Sequence, residues 1–576
     1  MQQASHNHMR PEQKQLNKQR GTIMKHDVSR RDFLKGGALI AATATAGTAL
    51  SACSAGSTEA KQNWMPETWD HEADIIVVGL GGAGLAAAIA ARQAGLEVIA
   101  LEAAPEEYCG GNTRVSGNYL LIPDNAEDGA LYQTTLNGPY NVDEKLIEAW
   151  AKAISENMEW LADLDINLEA TAFANPEFPG LPGSESIKTY AVDGKPGSAS
   201  LWIPLYETAQ DMDAEIHYDT RATKLVYDPE TREVRGVVAG EKAYKARKGV
   251  ILACGGFENN AEMMQDYYPT EGAAKIYHEG SPYNRGDGIK MLLDIGADLW
   301  HMNAFAGSST PRTCVDPNDT EFNNCVGTKF VTKDYIFVGP ESKRYMYEEG
   351  TKLSRHGRVK EKGAWPMQVF PNPTYIVMGS KAFDGDFVLN APSTNGWVGS
   401  MGLLDMTENK DMLDRGILQK GDTPEELAEK IGLDPVVLSE TIAKYNESCA
   451  AGKDEEFGRG EEVISNFAFD FSGSKDSNTT VGEGTVAIEA FELEPLDAPY
   501  YAFEVRPCIL NSQGGPKRNE ANQVLNTDGA PIPRLYATGE LGTIYAYMYN
   551  GGGNVSEAVA SGRVAARHCA NLDPWE

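Results

Sequence analysis

The residues with the clearest chemical potential are three glycines and one acid near the start of the chain. Gly79, Gly81 and Gly84 form the spacing G-x-G-x-x-G directly after the apolar stretch 73–78, and Glu102 ends the next apolar stretch. The first glycine permits a tight turn, the second lets the backbone approach a pyrophosphate, and the third lets a helix lie close to the strand. The acid is placed to accept a hydrogen bond from a ribose hydroxyl. This pattern predicts a dinucleotide site.

The elements that must position these residues follow from the surrounding sequence. Residues 73–78 predict a buried strand, and the Ala-rich run 85–94 predicts a helix whose N-terminus can hold phosphates. Residues 222–253 predict a small antiparallel excursion that returns through an apolar strand. Near the C-terminus, "PIPRLYATGELG" and "GGGNVSEAVASGRVAARHC" predict a strand, a glycine turn and a helix. The predicted fold class is therefore α/β.

Length and charge limit the function classes. A chain of 576 residues predicts two to four domains at about 150 residues each. The formal net charge of −32 would repel nucleic acid, so we expect no nucleic-acid partner. The negative charge keeps the protein soluble and needs no further functional explanation.

The N-terminus predicts export. Arg30 and Arg31 in "SRRDFLKGG" precede a mildly apolar Ala-rich run, which resembles a twin-arginine signal within residues 1–52. Met24 lies just before it, so residues 1–23 are expected to be an over-assigned start. "LSAC" resembles a bacterial lipobox, with Cys53 as the lipidated first residue of the mature protein and 53–69 as a linker. The apolar run is too short for a good membrane span, so we expect membrane contact only through the lipid.

The cysteines give no metal or haem signature. Eight are present, without C-x-x-C or C-x-x-C-H, so no metal site is expected. Cys314 and Cys325 could pair as a disulfide, with buried free thiols as the favoured alternative.

A set of motifs in one fixed order carries a family resemblance. Together with the glycine pattern they are "GGNTRVSG", "ILACGGF", "RGDG", "SKRYMYEE", "TIAKYNESCAAGKDEEFGR", "SQGG", "IPRLYATGELG" and "GGGNVSEAVASGR". They resemble the flavoprotein family of soluble fumarate reductases, urocanate reductases and 3-ketosteroid Δ1-dehydrogenases over about residues 72–570. The resemblance implies a Rossmann-like FAD-binding domain in two segments, 70–305 and 490–576. An α+β cap at 306–489 would be inserted between them, with the active site in the cleft.

The resemblance also implies the cofactor and the residues that hold it. The cofactor is FAD, bound non-covalently in an extended shape. The implied cofactor-binding residues are Gly79, Gly81, Gly82, Ala83, Gly84, Glu102, Gly111, Asn112, Thr113, Ser116, Gly117, Gly255, Gly256, Asp287, Gly539, Glu540, Asn554, Val555 and Ser556.

The implied chemistry is hydride transfer from reduced flavin N5 to an activated alkene, followed by proton transfer from an arginine of the cap. A gapped alignment of "SKRYMYEEGTKLSRHG" selects Arg355 as the donor, whereas an ungapped count selects Lys352. His356 is the neighbouring candidate, as a donor or a substrate contact. Tyr549 and Gly553 match the Y-x-G-x-G of the steroid dehydrogenases, where the hydroxyl and the amide polarise a ketone.

Two departures from the fumarate reductases bear on the substrate. Asn511 stands where that family has a histidine, and Asn550 where it has an arginine. Neither asparagine supplies positive charge for a second carboxylate, so we expect no useful fumarate reduction. A larger alkene activated at one end, an enone or an aryl-substituted acrylate, is expected instead.

The leading hypothesis is an exported, lipid-anchored flavoenzyme that reduces a small unsaturated substrate as a respiratory acceptor. No nicotinamide motif or haem site is visible in the sequence, so a separate electron donor is expected, either a membrane quinol-oxidising cytochrome or a small flavin carrier. Two alternatives stay open: dehydrogenation of a ring ketone such as a steroid, and a surface flavoprotein that only relays electrons.

Overall fold

The computed structural model describes most of the chain after the N-terminal segment. The described residues are 64–575 apart from 172–174, 198, 269–275, 308–312, 315–324, 327, 330–331, 349–353, 357, 360–361, 363, 368–370, 386–387, 390–395, 402–408, 462, 466–477, 483–484, 489–491 and 507. The signal, the lipobox at Cys53 and Lys352 therefore lie outside the described residues.

An eight-stranded sheet forms the framework of the nucleotide-binding region. Five of its strands are parallel neighbours, in the order Pro531–Ala537, Lys242–Leu252, His71–Val78, Val98–Leu101 and Glu215–His217. The antiparallel excursion consists of Ala222–Tyr227 and Val234–Ala239, and Gln523–Leu525 pairs antiparallel at the other edge. The predicted α/β class and the excursion are confirmed.

Two helices from opposite ends of the chain pack on this sheet through glycine. The cradle helix, Gly82–Gln93, follows the first strand, and the last helix, Gly553–Ala570, ends the fold. A Cβ at Gly84 would overlap the Gly79 carbonyl oxygen, and one at Gly562 would overlap the Ala83 carbonyl oxygen. Neither position has room for a side chain, so glycine at these two positions sets how closely the backbones approach.

A second sheet lies in the region predicted to be the cap. Its four antiparallel strands are ordered Tyr335–Val338, Thr374–Met378, Tyr500–Val505 and Gln419–Gly421. The strand Tyr500–Val505 lies between two strands of the predicted cap and forms hydrogen bonds with both. This strand thus follows the predicted boundary at 489/490 in the sequence but pairs with strands that precede it, and the boundary itself stays a prediction.

Two of the family motifs meet in a buried ion cluster beside this sheet. Arg344 Nε donates to Glu348 Oε1 at 2.8 Å, and its Nη2 donates to Asp454 Oδ2 at 2.8 Å. Arg459 lies 3.5 Å from Glu348, and Tyr445 stacks under both guanidinium groups. "SKRYMYEE" and "TIAKYNESCAAGKDEEFGR" therefore join through charges that are fully removed from water.

Shorter elements complete the described chain. The remaining helices are Glu106–Tyr108, Gly111–Val115, Ala126–Asn137, Glu144–Ser155, Asn157–Ala162, Ser184–Ser186, Trp202–Asp211, Ala261–Tyr267, Asp287–Leu293, Ser380–Asp384, Trp397–Ser400, Asn409–Asp414, Pro424–Ile431 and Pro435–Ala451. The remaining strands are Leu120–Pro123, Leu168–Ala170, Ile187–Val192, Tyr277–His278, Leu299–Trp300, Phe305–Ala306, Thr313–Cys314, Cys325–Val326, Thr328–Lys329, Ser354–Arg355, Arg358–Val359, Val388–Leu389, Val463–Ser465, Asn478–Gly482, Thr485–Ile488, Cys508–Ile509, Asn511–Ser512 and Gly515–Pro516.

Cys314 and Cys325 come together in the backbone register. They are direct partners in the antiparallel pair Thr313–Cys314 and Cys325–Val326. Residues opposite each other in such a pair have Cα atoms about 4.5 to 5.5 Å apart, which is compatible with a disulfide. Both alternatives stay open, because the two side chains lie outside the description. No helix of the described residues combines the length and the apolarity that crossing a membrane requires.

The contact between the two glycine-bearing helices yields a prediction. Gly562→Val should lower the free energy of unfolding by about 1 to 3 kcal/mol or more, because the new side chain must displace the Ala83 carbonyl. Urea unfolding followed by circular dichroism measures it. Arg567→Val on the half-exposed face of the same helix is the matched control for helix propensity. Equal losses in the two variants would contradict the packing argument.

Candidate active site

The loop before the cradle helix is shaped by backbone contacts at two glycines and by open space at the third. A Cβ at Gly79, where φ is +106°, would overlap the Ala253 carbonyl oxygen. A Cβ at Gly81 would have no atom of the protein closer than 3.6 Å. Close packing therefore explains why residue 79 is glycine. At Gly81, in contrast, there is open space in which a ligand can approach the backbone. The Gly82 amide donates to Thr113 Oγ1 at 2.9 Å, which joins this loop to the GGNTRVSG segment.

Glu102 is fixed at the end of the second strand. Its carboxylate accepts from the amides of Leu80 and Ala104 at 2.9 and 2.8 Å. Burial raises the pKa of Glu102, and the two amides and the Arg221 charge oppose that shift. A carboxylate has more acceptor sites than these two bonds use, so it retains capacity for a ribose hydroxyl.

Two further acidic side chains of the nucleotide-binding region are joined by shared hydrogen-bond donors. The carboxylate pair, Glu258 and Glu540, shares amide donors: Asn112 Nδ2 donates to both at 2.9 to 3.1 Å, and Asn284 Nδ2 donates to Glu258 at 2.8 Å and to Glu540 at 3.4 Å. Ser512 Oγ donates to Glu258 at 2.8 Å. No lysine or arginine of the described residues pairs with either acid. Sequence reasoning found Glu540 and Asn112 but missed Glu258, although it directly follows "CGGF".

The surroundings of Glu540 favour its neutral form. Burial and the neighbouring Glu258 charge raise the pKa of Glu540 well above its usual value, opposed by the Asn112 and Gly256 hydrogen bonds. Two adjacent buried carboxyl groups cannot both ionise without a cation. Burial beside a second acid therefore favours the neutral form of Glu540.

These residues fit FAD. The clear surface at Gly81 and the cradle helix N-terminus suit the pyrophosphate, and Glu102 suits a ribose. Asp287 forms an ion pair with Arg221, whose charge also acts on Glu102, and its predicted contact with the adenine half of FAD stays a prediction. A Cβ at Gly255 would lie 2.5 Å from Asn284, so this glycine serves the packing behind the pair.

The N-terminus of the last helix carries a chain of polar contacts. Asn554 Nδ2 donates to Asn511 Oδ1 at 2.8 Å, and the Asn554 amide donates to the Tyr549 hydroxyl oxygen at 3.1 Å. Gln513 Nε2 donates to Asn554 Oδ1 at 3.1 Å. The Gly553 amide donates to the Asn550 carbonyl in the turn that starts the helix. Gly553 would therefore have to leave this bond in order to polarise a substrate.

His356 joins this group through its ring. The ring centroid lies 4.9 Å from that of Tyr549, with the planes at 76°. Nδ1 accepts from the Gly307 amide at 3.2 Å, and Nε2 lies 3.1 Å from the buried Glu177 carboxylate. Both nitrogens are thus engaged within the protein, and the imidazole presents its ring to Tyr549. The donor role predicted for His356 would require one of these two contacts to break.

The Asn550 side chain connects separate segments of the fold by hydrogen bonds. Its Oδ1 accepts from the Tyr132 hydroxyl at 2.8 Å and from the Glu177 amide at 3.0 Å, and its Nδ2 donates to the Gly551 carbonyl. The side chain is fully buried. The position that carries a substrate-binding arginine in the fumarate reductases is therefore used here to hold the Glu177 segment.

Arg358 is a buried cation that sequence reasoning missed. Its guanidinium carbon lies 4.5 Å from the ring centroid of Tyr547, and Nη1 donates to the Trp365 carbonyl at 3.1 Å. Burial lowers its pKa, opposed by Tyr547, Tyr140 and Tyr268. Among the described residues, no carboxylate pairs with Arg358, and the buried Tyr268 hydroxyl has no hydrogen-bond partner. We call the group formed by Arg358, Tyr140, Tyr268, Trp365 and Tyr547 the aromatic box.

The hairpin that carries His356 and Arg358 also contains the predicted proton donor. Arg355 lies in the strand Ser354–Arg355, opposite Arg358, but its side chain is outside the description. Two predicted cofactor contacts have internal partners: Ser116 Oγ donates to the Thr113 carbonyl at 3.0 Å, and Ser556 Oγ donates to the Leu121 carbonyl at 2.6 Å. The assignments of all these residues to the cofactor or to catalysis stay predictions.

The carboxylate pair yields a prediction about pH. The pKa of Glu540 is raised above its unfolded value of about 4.3, so the bound proton stabilises the fold below that pH, and this stabilisation is lost as the pH rises through the folded pKa. Glu540→Gln should flatten this decline, which is at most about 1.4 kcal/mol per pH unit. Urea unfolding at fixed FAD across a pH series measures it. Exposed Glu241→Gln is the control, and equal pH dependence in all three proteins would contradict the raised pKa of Glu540.

Comparisons with known proteins agree with this geometry. The chain matches the FAD binding domain family over residues 74–556 and the TAT (twin-arginine translocation) pathway signal sequence over residues 27–47. Digoxin reductase from Eggerthella lenta is 26% identical, covering 95% of this chain and 98% of the relative. Urocanate reductase from the same organism is 28% identical, covering 88% and 74%. The structure of 3-ketosteroid Δ1-dehydrogenase from Sterolibacterium denitrificans superposes with a TM-score of 0.63 at 20% identity, covering 87% and 99%, and supports the fold alone.

The family match spans most of the chain and includes the cradle, the carboxylate pair and Tyr549. The cofactor is therefore FAD, and the activity class is an oxidoreductase that acts on C=C or CH–CH bonds. The twin-arginine signal indicates export. The chain belongs to the FAD-binding flavoprotein family that includes digoxin, urocanate and fumarate reductases and 3-ketosteroid dehydrogenases.

Proposed function

We propose that this protein reduces the C=C bond of an alkene activated at one end by a carboxylate or carbonyl group, an enoate or enone other than fumarate. The observation that carries the proposal is the aromatic box. Arg358 is buried without a carboxylate partner among the described residues, which leaves its charge for an anionic or carbonyl oxygen. The rings around it suit an apolar remainder of the substrate.

The box and Tyr549 belong to one local arrangement. His356 contacts Tyr549, and Arg358, two residues later in the hairpin, contacts Tyr547, two residues earlier in its segment. Tyr549 is also bonded to Asn554 at the start of the last helix, the part that the resemblance places at the flavin. A substrate held by Arg358 would thus have its reacting end near Tyr549.

The proposed mechanism assigns each residue one task. Reduced FAD, when bound, supplies hydride from N5 to the β-carbon. Arg358 holds the activating group, and the Tyr549 hydroxyl donates to the oxygen on which negative charge develops. Arg355 delivers the proton to the α-carbon, with Lys352 as the alternative. His356, fixed by Glu177 and Gly307, sets the position of Tyr549.

The same contacts argue against a dicarboxylate. A second buried carboxylate would cost several kcal/mol (an order-of-magnitude figure) without a partner of its own. Asn550 is committed to Tyr132 and Glu177, and Asn511 is bonded to Asn554. Neither brings positive charge to the site.

We also propose that the enzyme works outside the cytoplasm as a respiratory reductase, anchored by lipid at Cys53 and supplied by a separate electron donor. The twin-arginine signal supports the location, and the lipobox sequence "LSAC" supports the anchor.

The substrate prediction is tested with reduced viologen as the electron source under anaerobic conditions. A panel of fumarate, an aryl-substituted acrylate and a cyclic enone should give reoxidation with the acrylate or enone and little with fumarate, because one buried cation serves only one activating group. Efficient fumarate turnover would overturn the proposal. Dye reduction driven by a saturated ketone would favour the dehydrogenase alternative, and no turnover in either direction would favour an electron relay.

The two arginines of the hairpin are predicted to differ kinetically. Arg358→Leu should raise KM for the acrylate by about tenfold or more, because it removes ground-state binding, whereas Arg355→Gln should lower kcat by about 10² with a smaller change in KM. Steady-state kinetics on each variant, with FAD content checked by absorbance, measure both.

The control for this prediction is Arg358→Lys, which keeps the charge and should recover part of the affinity. An unchanged KM in Arg358→Leu would remove Arg358 from the substrate site. Full activity in Arg355→Gln together with loss in Lys352→Gln would transfer the donor role to Lys352.

A further inference from the structure

His71, Glu215 and His217 form a compact group of metal-ligating side chains that the proposed reaction does not use. One ligand atom of each lies within 4.8 Å of the other two. His71 begins the first strand, and the other two share the strand Glu215–His217. Alternate residues of a strand point to the same side, so Glu215 and His217 present their side chains together. The sequence could not reveal this group, because His71 is distant from the other two along the chain.

Tyr244 orients both imidazoles. Its hydroxyl lies 3.1 Å from His217 Nδ1, and its ring stacks on His71 with the centroids 4.8 Å apart and the planes at 13°. With Nδ1 engaged, His217 directs Nε2 to the Glu215 carboxylate, 2.6 Å away. Metal-binding histidines are commonly held in this way, with one nitrogen on an outer partner and the other on the metal.

A simple histidine–carboxylate hydrogen bond would account for two of the three residues. It leaves His71 unexplained, since no hydrogen bond to its imidazole is found within the described part of the chain. The His71 and His217 ring centroids are 4.7 Å apart. His71 is thus a third group able to ligate a metal, and it lies beside the bonded His217 and Glu215. A cation bound by all three side chains would complete this arrangement.

We propose that His71, Glu215 and His217 bind one divalent transition-metal ion, with Zn²⁺ as the best match. Two imidazoles, one carboxylate and a water give the four ligands that Zn²⁺ takes, at about 2.0 to 2.2 Å from the metal. Mg²⁺ and Ca²⁺ prefer oxygen ligands only, so they suit this group poorly. The ion would join the start of the first strand to the strand Glu215–His217, whose His217 carbonyl accepts from the Glu102 amide at 2.8 Å.

The experiment titrates Zn²⁺ into the tag-free, FAD-loaded protein by calorimetry, and Co²⁺ with detection of its visible absorption. All proteins carry His6→Ala, His8→Ala and His26→Ala, so that the N-terminal histidines do not contribute. The test variant is His71→Ala with His217→Ala. The control is His568→Ala, which removes a histidine that also bonds to a tyrosine hydroxyl but belongs to no such group among the described residues. The flavin spectrum reports that each variant is folded.

The expected result is one equivalent of Zn²⁺ and a tetrahedral Co²⁺ spectrum, both retained in His568→Ala and weakened about tenfold or more in the double variant. Glu215→Gln should weaken binding as well, because it replaces the carboxylate by a poorer ligand. The proposal is overturned if the parent protein binds neither ion, or if the double variant with a normal flavin spectrum binds as tightly as the parent.

Discussion

The close approach of backbones at Gly84 and Gly562 is the constraint on which the rest of the structure depends. Gly84 lets the cradle helix meet the Gly79 turn, and Gly562 lets the last helix meet the cradle helix at Ala83. The first contact shapes the phosphate loop. The second brings the C-terminal end of the chain beside it, so that Asn554 and Tyr549 reach the same site as residues near the N-terminus.

The parts of the fold that depend on local sequence were predictable. The glycine spacing, the strand before it and the acid after it act over a few residues, so a single sequence displays them. The extent of the second sheet was not predictable, because Tyr500–Val505 is recruited by pairing with strands far away in the chain. The same holds for the site: Glu540 was found from its motif, but its partner Glu258 becomes apparent only when Asn112 and Asn284 bring the two together.

The motifs that carry family resemblance divide into two physical roles. "SKRYMYEE" and "TIAKYNESCAAGKDEEFGR" were informative as signatures, yet their charged residues Arg344, Glu348, Asp454 and Arg459 are buried against one another. Removing one member of such a group leaves an uncompensated buried charge, at a cost of about 3 to 5 kcal/mol. These motifs therefore stabilise the region that carries the hairpin. The residues of the proposed substrate site, His356 and Arg358, lie just after the first motif, where the sequence is less distinctive.

Within the described part of the chain, neither the two acids nor Arg358 forms an ion pair. Glu258 and Glu540 accept hydrogen bonds from amides and a hydroxyl, and Arg358 contacts a carbonyl and the face of Tyr547. A cation beside Glu540 would favour its ionisation, because opposite charge lowers the pKa of a carboxyl group. A carboxylate beside Arg358 would occupy the guanidinium that an anionic substrate needs. In the proposed function, Arg358 thereby keeps its charge for the substrate, and Glu540 keeps the raised pKa that its surroundings impose.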